Sequence, residues 1–188
     1  MSDAVRLIED IGAPVLLIGQ SMGALNSLVL AARRPDLVTQ LLLVEAYAWN
    51  DATPSADDWS AQWPVPFGSL DEARVYFDSN GLDGKTWAQS LEARSDGYWP
   101  RFRAEDMVEI SRRGSPYDYR AECANNVAPT LVVSGSRTWL DLRRIREVAS
   151  LIRNSQYVEL DAGHDVHLDN PVGFENAVCK FLDHCKTI

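Results

Sequence analysis

The hydrophobic positions of this chain follow two alternating rhythms. Val15–Ile18, Leu41–Val44 and Thr130–Val133 are almost unbroken apolar runs, and Gln156–Leu160 is a mixed one. Runs of this length suit strands, and a run without polar alternation suits a parallel strand buried on both faces. Between them the spacing becomes helical. Val5, Leu7, Ile8 and Ile11 mark a short amphipathic helix over Asp3–Ile11, with Ser2 or Asp3 as cap and Gly12 as stop. Ala24, Leu25, Leu28, Val29, Ala31 and Ala32 mark a second, with Pro35 beyond its end, and Leu142 to Ile152 a third. Asn170-Pro171 opens a last helix carrying Phe174, Ala177, Val178, Phe181 and Leu182 on one face, with Cys179 expected to face the core. Helix alternating with strand predicts right-handed βαβ units and an α/β architecture.

The pattern breaks between Tyr47 and Val127, where Pro54, Pro64, Pro66, Gly68, Gly81, Gly84, Gly97, Pro100, Gly114 and Pro116 interrupt the chain. Short helices are predicted over Leu70–Phe77 after a Ser69 cap, over Thr86–Ala93 and over Ala104–Arg112. Trp49, Trp59, Trp63, Trp87 and Trp99 lie in this stretch. They predict either a small aromatic core of their own or an apolar pocket wall. The expected organisation is a core of residues 1–48 and 127–188 with a cap or lid segment, 49–126, inserted in it.

Composition narrows the function classes. With 188 residues and 46% hydrophobic content the chain fits one domain or slightly more. Its net charge of −9 argues against nucleic acid or an anionic membrane as partner. The start MSDAVRLIED lacks a signal-peptide pattern, and no run approaches the roughly 18 apolar residues of a membrane span, so the cytoplasm is the expected location. Cys123, Cys179 and Cys185 are odd in number and lack metal-ligand spacing, so reduced thiols are expected and a metal site is not. No glycine-rich phosphate loop is present, and no cofactor is expected.

The chemistry enters at Gly19-Gln20-Ser21-Met22-Gly23, set between a predicted strand and a predicted helix. A serine in so tight a strand-to-helix turn needs small residues two positions either side, and Gly19, Gly23 and Ala24 meet that need. The turn projects the Ser21 hydroxyl above the carboxyl edge of the sheet as a nucleophile. It also aims the Met22 backbone N–H, at the helix start, toward an oxyanion. His164, in a loop after a strand, sits where a parallel sheet opens its carboxyl edge and can act as general base. His167 is the next nearest candidate, and His184 reads as a surface residue.

Strand, Gly-x-Ser-x-Gly and helix, an irregular insertion, Ala128-Pro129-Thr130-Leu131-Val132-Val133-Ser134-Gly135, and Ala162-Gly163-His164 before Asn170-Pro171 together resemble the α/β-hydrolase superfamily, in its esterase-like branch with a cap. The resemblance implies the C-terminal part of an α/β-hydrolase fold: a mostly parallel sheet, helices on both faces and an inserted helical cap. It also implies a Ser-His-acid triad. The family usually places the acid in a Gly-x-x-Asp arrangement, where this chain reads Gly135-Ser136-Arg137-Thr138. Some branches place it after the strand following the elbow helix, which here is Glu45. A carboxylate ending an apolar strand is costly to bury without a partner, and His164 would supply one. Asp141 is the alternative acid, with helix capping as its structural role, and a chain with no functional acid is the third outcome.

A full member carries three or four further strands ahead of the elbow and a loop donating the second oxyanion N–H. The chain is therefore expected to be a C-terminal portion, a shortened product, or a domain that completes its sheet with another chain. Its elbow strand would be an apolar sheet edge favouring a homodimer, and a well-behaved monomer in sedimentation would count against that. A missing oxyanion donor can cost on the order of 10² to 10³ in rate. The function expected is hydrolysis of a small apolar ester or related acyl substrate. The alternatives are a non-catalytic or truncated ligand-binding member, and a lyase or cofactor-free oxygenase using the same triad.

Overall fold

The computed structural model describes residues 2–12, 14–50, 62–114 and 116–186. Pro54 and Trp59 lie outside the described residues. The chain divides into two compact units, Met1–Asn50 with Asp118–Ile188, and Asp51–Tyr117.

In order, the first unit contributes α1 (Ser2–Ile11), β1 (Val15–Gln20), α2 (Met22–Arg33), a 3₁₀ turn at Pro35–Leu37, β2 (Val38–Val44) and β3 (Trp49–Asn50). The excursion then carries α3 (Leu70–Ser79), α4 (Gly84–Gln89), β4 (Glu92–Arg94), β5 (Gly97–Trp99) and α5 (Ala104–Gly114), followed by β6 (Tyr117–Asp118). The chain closes with α6 (Arg120–Asn125), β7 (Thr130–Gly135), α7 (Leu142–Leu151), β8 (Ser155–Leu160), α8 (Val166–Asp169) and α9 (Pro171–Lys186).

Four strands of the first unit form one parallel sheet in the order β1-β2-β7-β8. β2 shows why its sequence is a continuous apolar run. Leu41 and Leu43 face one cluster with Leu28, Ala31, Val132, Ile145 and Val148, contributed by α2, β7 and α7. Leu42 and Val44 face a second cluster with Leu131, Val133, Val166 and Phe181, contributed by β7, α8 and α9. Alternate residues of one strand therefore bury against helices on opposite faces of the sheet. β1 lies at one end of the strand order, and its Ile18 is 50% exposed.

Several local readings shift. α6 belongs with the first unit, although its residues fall inside the segment 49–126: Cys123 is buried in the α2 face cluster and Arg33 pairs with Glu122 at 3.0 Å. The chain leaves and re-enters that unit at adjacent points, where the Tyr119 N–H donates to the Ala48 carbonyl. Cys179 is exposed, because the apolar stripe of α9 runs through Phe174, Ala177, Val178, Phe181 and Cys185, and residue 179 lies off it. The helix expected over Thr86–Ala93 ends at Gln89, and Glu92–Arg94 instead pairs antiparallel with Gly97–Trp99 across the turn Ser95-Asp96. Gly97, at φ +141°, takes a backbone conformation that favours glycine where the chain leaves the turn and enters β5.

The second unit has its own core of Trp63, Phe67, Ala73, Phe77, Ala88 and Leu91. Trp63 meets Phe77, Phe102 and Trp87 edge-on at centroid distances of 4.8, 5.4 and 5.9 Å. Ser69 accepts from the Glu72 N–H, and Glu72 accepts from the Gly68 N–H, closing the start of α3. Trp49 lies in the first unit, under the guanidinium groups of Arg120 and Arg144.

Candidate active site

The parallel register brings four chain ends to one edge. Gln20 is level with Val44, Val44 with Val133, and Gly135 with Leu160. The residues that follow, Ser21, Glu45 and Ser136, and the loop carrying His164, therefore emerge together at the carboxyl edge of the sheet.

Ser21 sits at the junction of β1 and α2, its N–H donating to the Val44 carbonyl at 2.8 Å and its carbonyl accepting from Ala24 and Leu25. Its φ of +53° and the +55° of Glu45 are the positive values among the described non-glycine residues. Such conformations cost about 1–3 kcal/mol each and persist where surrounding structure enforces them. A Cβ on Gly19 would lie 2.4 Å from the Gly23 carbonyl and 2.5 Å from the Ser27 hydroxyl, so that position has to be glycine. The sequence reading asks the same of Gly23, but a Cβ there would meet nothing within 4 Å. The tightness of the turn falls on its strand side.

Met22 is the first residue of α2, so its N–H has no acceptor inside the helix. Its side chain is 51% exposed. Among the described residues the Ser21 hydroxyl makes no hydrogen bond.

Glu45 is wholly buried, and its carboxylate is met by three donors. The Gly135 N–H reaches Oε1 at 2.7 Å, while the Thr138 hydroxyl and His164 Nδ1, the latter at 3.0 Å, both reach Oε2. Burial of a carboxylate costs several kcal/mol unless its lone pairs are met, and here they are. With Nδ1 engaged, Nε2 is the ring nitrogen left for chemistry. The His164 side chain is 17% exposed, so it is buried against Glu45 yet open to solvent.

Asp141 does something else: it caps α7, accepting from the Arg143 N–H at 2.9 Å and pairing with the Arg143 guanidinium. That pairing holds its carboxyl below the usual carboxylate range. His167 is exposed and lies near Phe174, and His184 is exposed on α9.

The site also uses residues that no motif picks out. Gln20 donates from Nε2 to the His164 carbonyl at 3.2 Å, tying the elbow strand to the histidine loop. A Cβ on Gly135 would lie 2.2 Å from the Gly163 carbonyl, so glycine there lets the two loops approach while its N–H holds Glu45. Trp139, 76% exposed, has its ring centroid 5.1 Å from that of His164. Thr138 had a signal, since it occupies the position where a carboxylate was expected; the structure makes it a donor to one.

Among the described residues there is no group of three His, Cys, Asp or Glu side chains that could hold a metal ion, and no helix long and apolar enough to cross a membrane.

Known proteins share this fold. Residues 1–177 match the model of the alpha/beta hydrolase family. The chain is 25% identical to the sn-1-specific diacylglycerol lipase ABHD11 of Mus musculus over 96% of its own length, and spans 63% of the length of that protein. Among solved structures it resembles E-2-(acetamidomethylene)succinate hydrolase, with a TM-score of 0.82 at 22% identity, covering 97% of this chain and 72% of that one. It also resembles the enol-lactonase of Burkholderia xenovorans LB400, with a TM-score of 0.73 at 21% identity, over 96% and 70% of the two chains. These likenesses carry the fold, a parallel sheet between two helical layers, and with the family match over nearly its whole length the chain belongs to the alpha/beta hydrolase family.

Proposed function

We propose that this protein is a serine hydrolase cleaving a small, apolar carboxylic ester or a related acyl substrate. The observation that carries the reading is the buried Glu45 carboxylate on His164 Nδ1, beside a serine held at positive φ on the neighbouring strand end.

Ser21 Oγ attacks the acyl carbon as His164 Nε2 takes its proton. Glu45 holds the ring in the tautomer that leaves Nε2 free and stabilises the imidazolium that forms. The Met22 N–H, at the positive end of α2, faces the developing oxyanion. Collapse of the tetrahedral species breaks the bond to the leaving oxygen, which takes the proton from Nε2, and water then releases the acyl group by the same steps. The relative named above is a diacylglycerol lipase, which supports this substrate class. The segment 51–117 is proposed as the cap that sets specificity.

A fluorophosphonate probe tests the reading. Wild-type protein labels at Ser21, and Ser21→Ala abolishes both labelling and ester turnover. Folded wild-type protein that does not label, but binds a small ligand without turning it over, would replace the enzyme with a ligand-binding member of the family.

A further inference from the structure

Trp139 is 76% exposed, yet the loop that carries it is fixed on both sides. Before it, the Ser136 N–H donates to the Leu160 carbonyl at 2.7 Å and the Arg137 N–H to the Ala162 carbonyl at 2.9 Å. Thr138 donates to Glu45, and its own oxygen accepts from the Leu140 N–H at 3.2 Å. After it, Leu140 packs on the α2 face of the core and Asp141 caps α7. The indole is thus held in water by an ordered frame, although an aromatic ring of this size would contribute roughly 150–250 Å² to any surface that buried it.

Its neighbour gives the position meaning. The indole and the His164 ring have centroids 5.1 Å apart with their planes inclined by 38°. Since Nδ1 is taken by Glu45, a departing oxygen must lie within hydrogen-bond reach of Nε2. An indole whose centroid lies 5.1 Å from the imidazole is within reach of the atoms bonded to that oxygen.

We propose that Trp139 is the leaving-group wall of the site, receiving a flat or bulky apolar alcohol portion while His164 protonates the departing oxygen. This rests on the serine hydrolase reading and adds the substrate's leaving-group class to it. In the step concerned, the bond between acyl carbon and leaving oxygen breaks and its electron pair stays on that oxygen. The proton comes from Nε2, and the acyl group remains on Ser21 Oγ.

Methyl, phenyl and 2-naphthyl acetates test it, because all three pass through the same acetyl-enzyme and differ only in what leaves. The readout is the ratio of kcat/KM for the aryl esters to that for methyl acetate. Trp139→Ala lowers this ratio about tenfold, equivalent to about 1.4 kcal/mol. Trp139→Phe, which keeps a flat ring, restores it to within about threefold. An unchanged ratio overturns the proposal, whether or not the variant's sedimentation shifts; a shift would assign the indole to a protein contact. An equal loss for all three esters also overturns it, and assigns Trp139 to holding the His164 ring. Fluorophosphonate labelling separates the two levels: unlabelled wild-type protein removes the hydrolase reading itself, while labelled protein with an unchanged ratio removes only the leaving-group wall.

Discussion

In the first unit the fully buried side chains are largely aliphatic, among them Leu28, Leu41, Leu42, Leu131 and Ile145, and they are joined by Glu45. In the second unit the largest are Phe67 and Phe77, packed by Trp63, Tyr76 and Trp87. The buried polar side chains among the described residues, Ser27, Glu45, Asn126, Thr130 and Ser134, all belong to the first unit. So do the two strained backbone positions, Ser21 and Glu45. A sheet covered on both faces gains enough from aliphatic burial to offset a buried carboxylate and two unfavourable φ angles. The described part of the second unit, built on one aromatic cluster, carries no such burden and concentrates its stability in a few rings.

The largest expected effect tests the role of the buried polar group. Glu45→Gln keeps the shape of the side chain and can keep the Gly135 contact, but presents an amide to two donors. It should lower kcat by about 10⁴-fold through loss of the correct His164 tautomer, with circular dichroism unchanged. A variant that unfolds would make Glu45 a fold determinant instead, and a loss below about tenfold would remove it from the triad.

The next breaks the other side of the comparison. Phe77→Ala removes a wholly buried ring that contacts Trp63, Phe67, Tyr76 and Trp87, and should cost about 3–5 kcal/mol. Denaturant titration followed by tryptophan emission should show that loss in a transition reporting Trp63 and Trp87. A loss nearer 1 kcal/mol would mean that the cluster relaxes to fill the space, and that its stability is not concentrated in single rings.

Thr138→Val keeps the volume of the side chain and deletes the hydroxyl that holds Glu45. Hydrogen bonds to charged groups contribute about 1.5–3 kcal/mol, so kcat should fall at least about tenfold with KM little changed. Thr138→Ser should recover most of it. Equal loss in the serine and valine variants would point to packing of the γ-methyl group.

The smallest effect concerns thiols in the first unit. Burial pushes Cys123 up from 9.0 to about 12, so at pH 8 native protein should react with a disulfide reagent at Cys179 and Cys185 but not at Cys123, and unfolded protein at all three. The folded state holds this proton more tightly. The stability linked to it is therefore fully present below about pH 9 and is lost as pH rises toward 12. Labelling of three thiols in native protein would show that α6 opens from the α2 face.

The elbow, the strand runs and the helix starts were legible because each is a local matter: a glycine beside a strained serine, apolar residues in sequence, Ser69 and Asp141 ahead of a helix. The hairpin at 92–99 is hidden in the sequence because the helical spacing over 86–93 runs into its first strand, and the glycine of Asp96-Gly97 falls one place beyond the two-residue turn. Cys179 was misplaced because an apolar residue near a helix stripe reads as part of it until the helix is turned against a real surface.

What the sequence determined by itself is the two-sided parallel core and the serine on its turn, since both follow from residue type and spacing along the chain. What only the tertiary structure decided is which carboxylate meets His164, Glu45 and not the Asp141 that the sequence also offered. Glu45 reaches His164 across 119 positions, and Gly135 and Thr138 reach Glu45 across 90 and 93. Those contacts exist because parallel strands bring distant chain ends to one edge, and that alignment is set by sheet register, which no local stretch encodes.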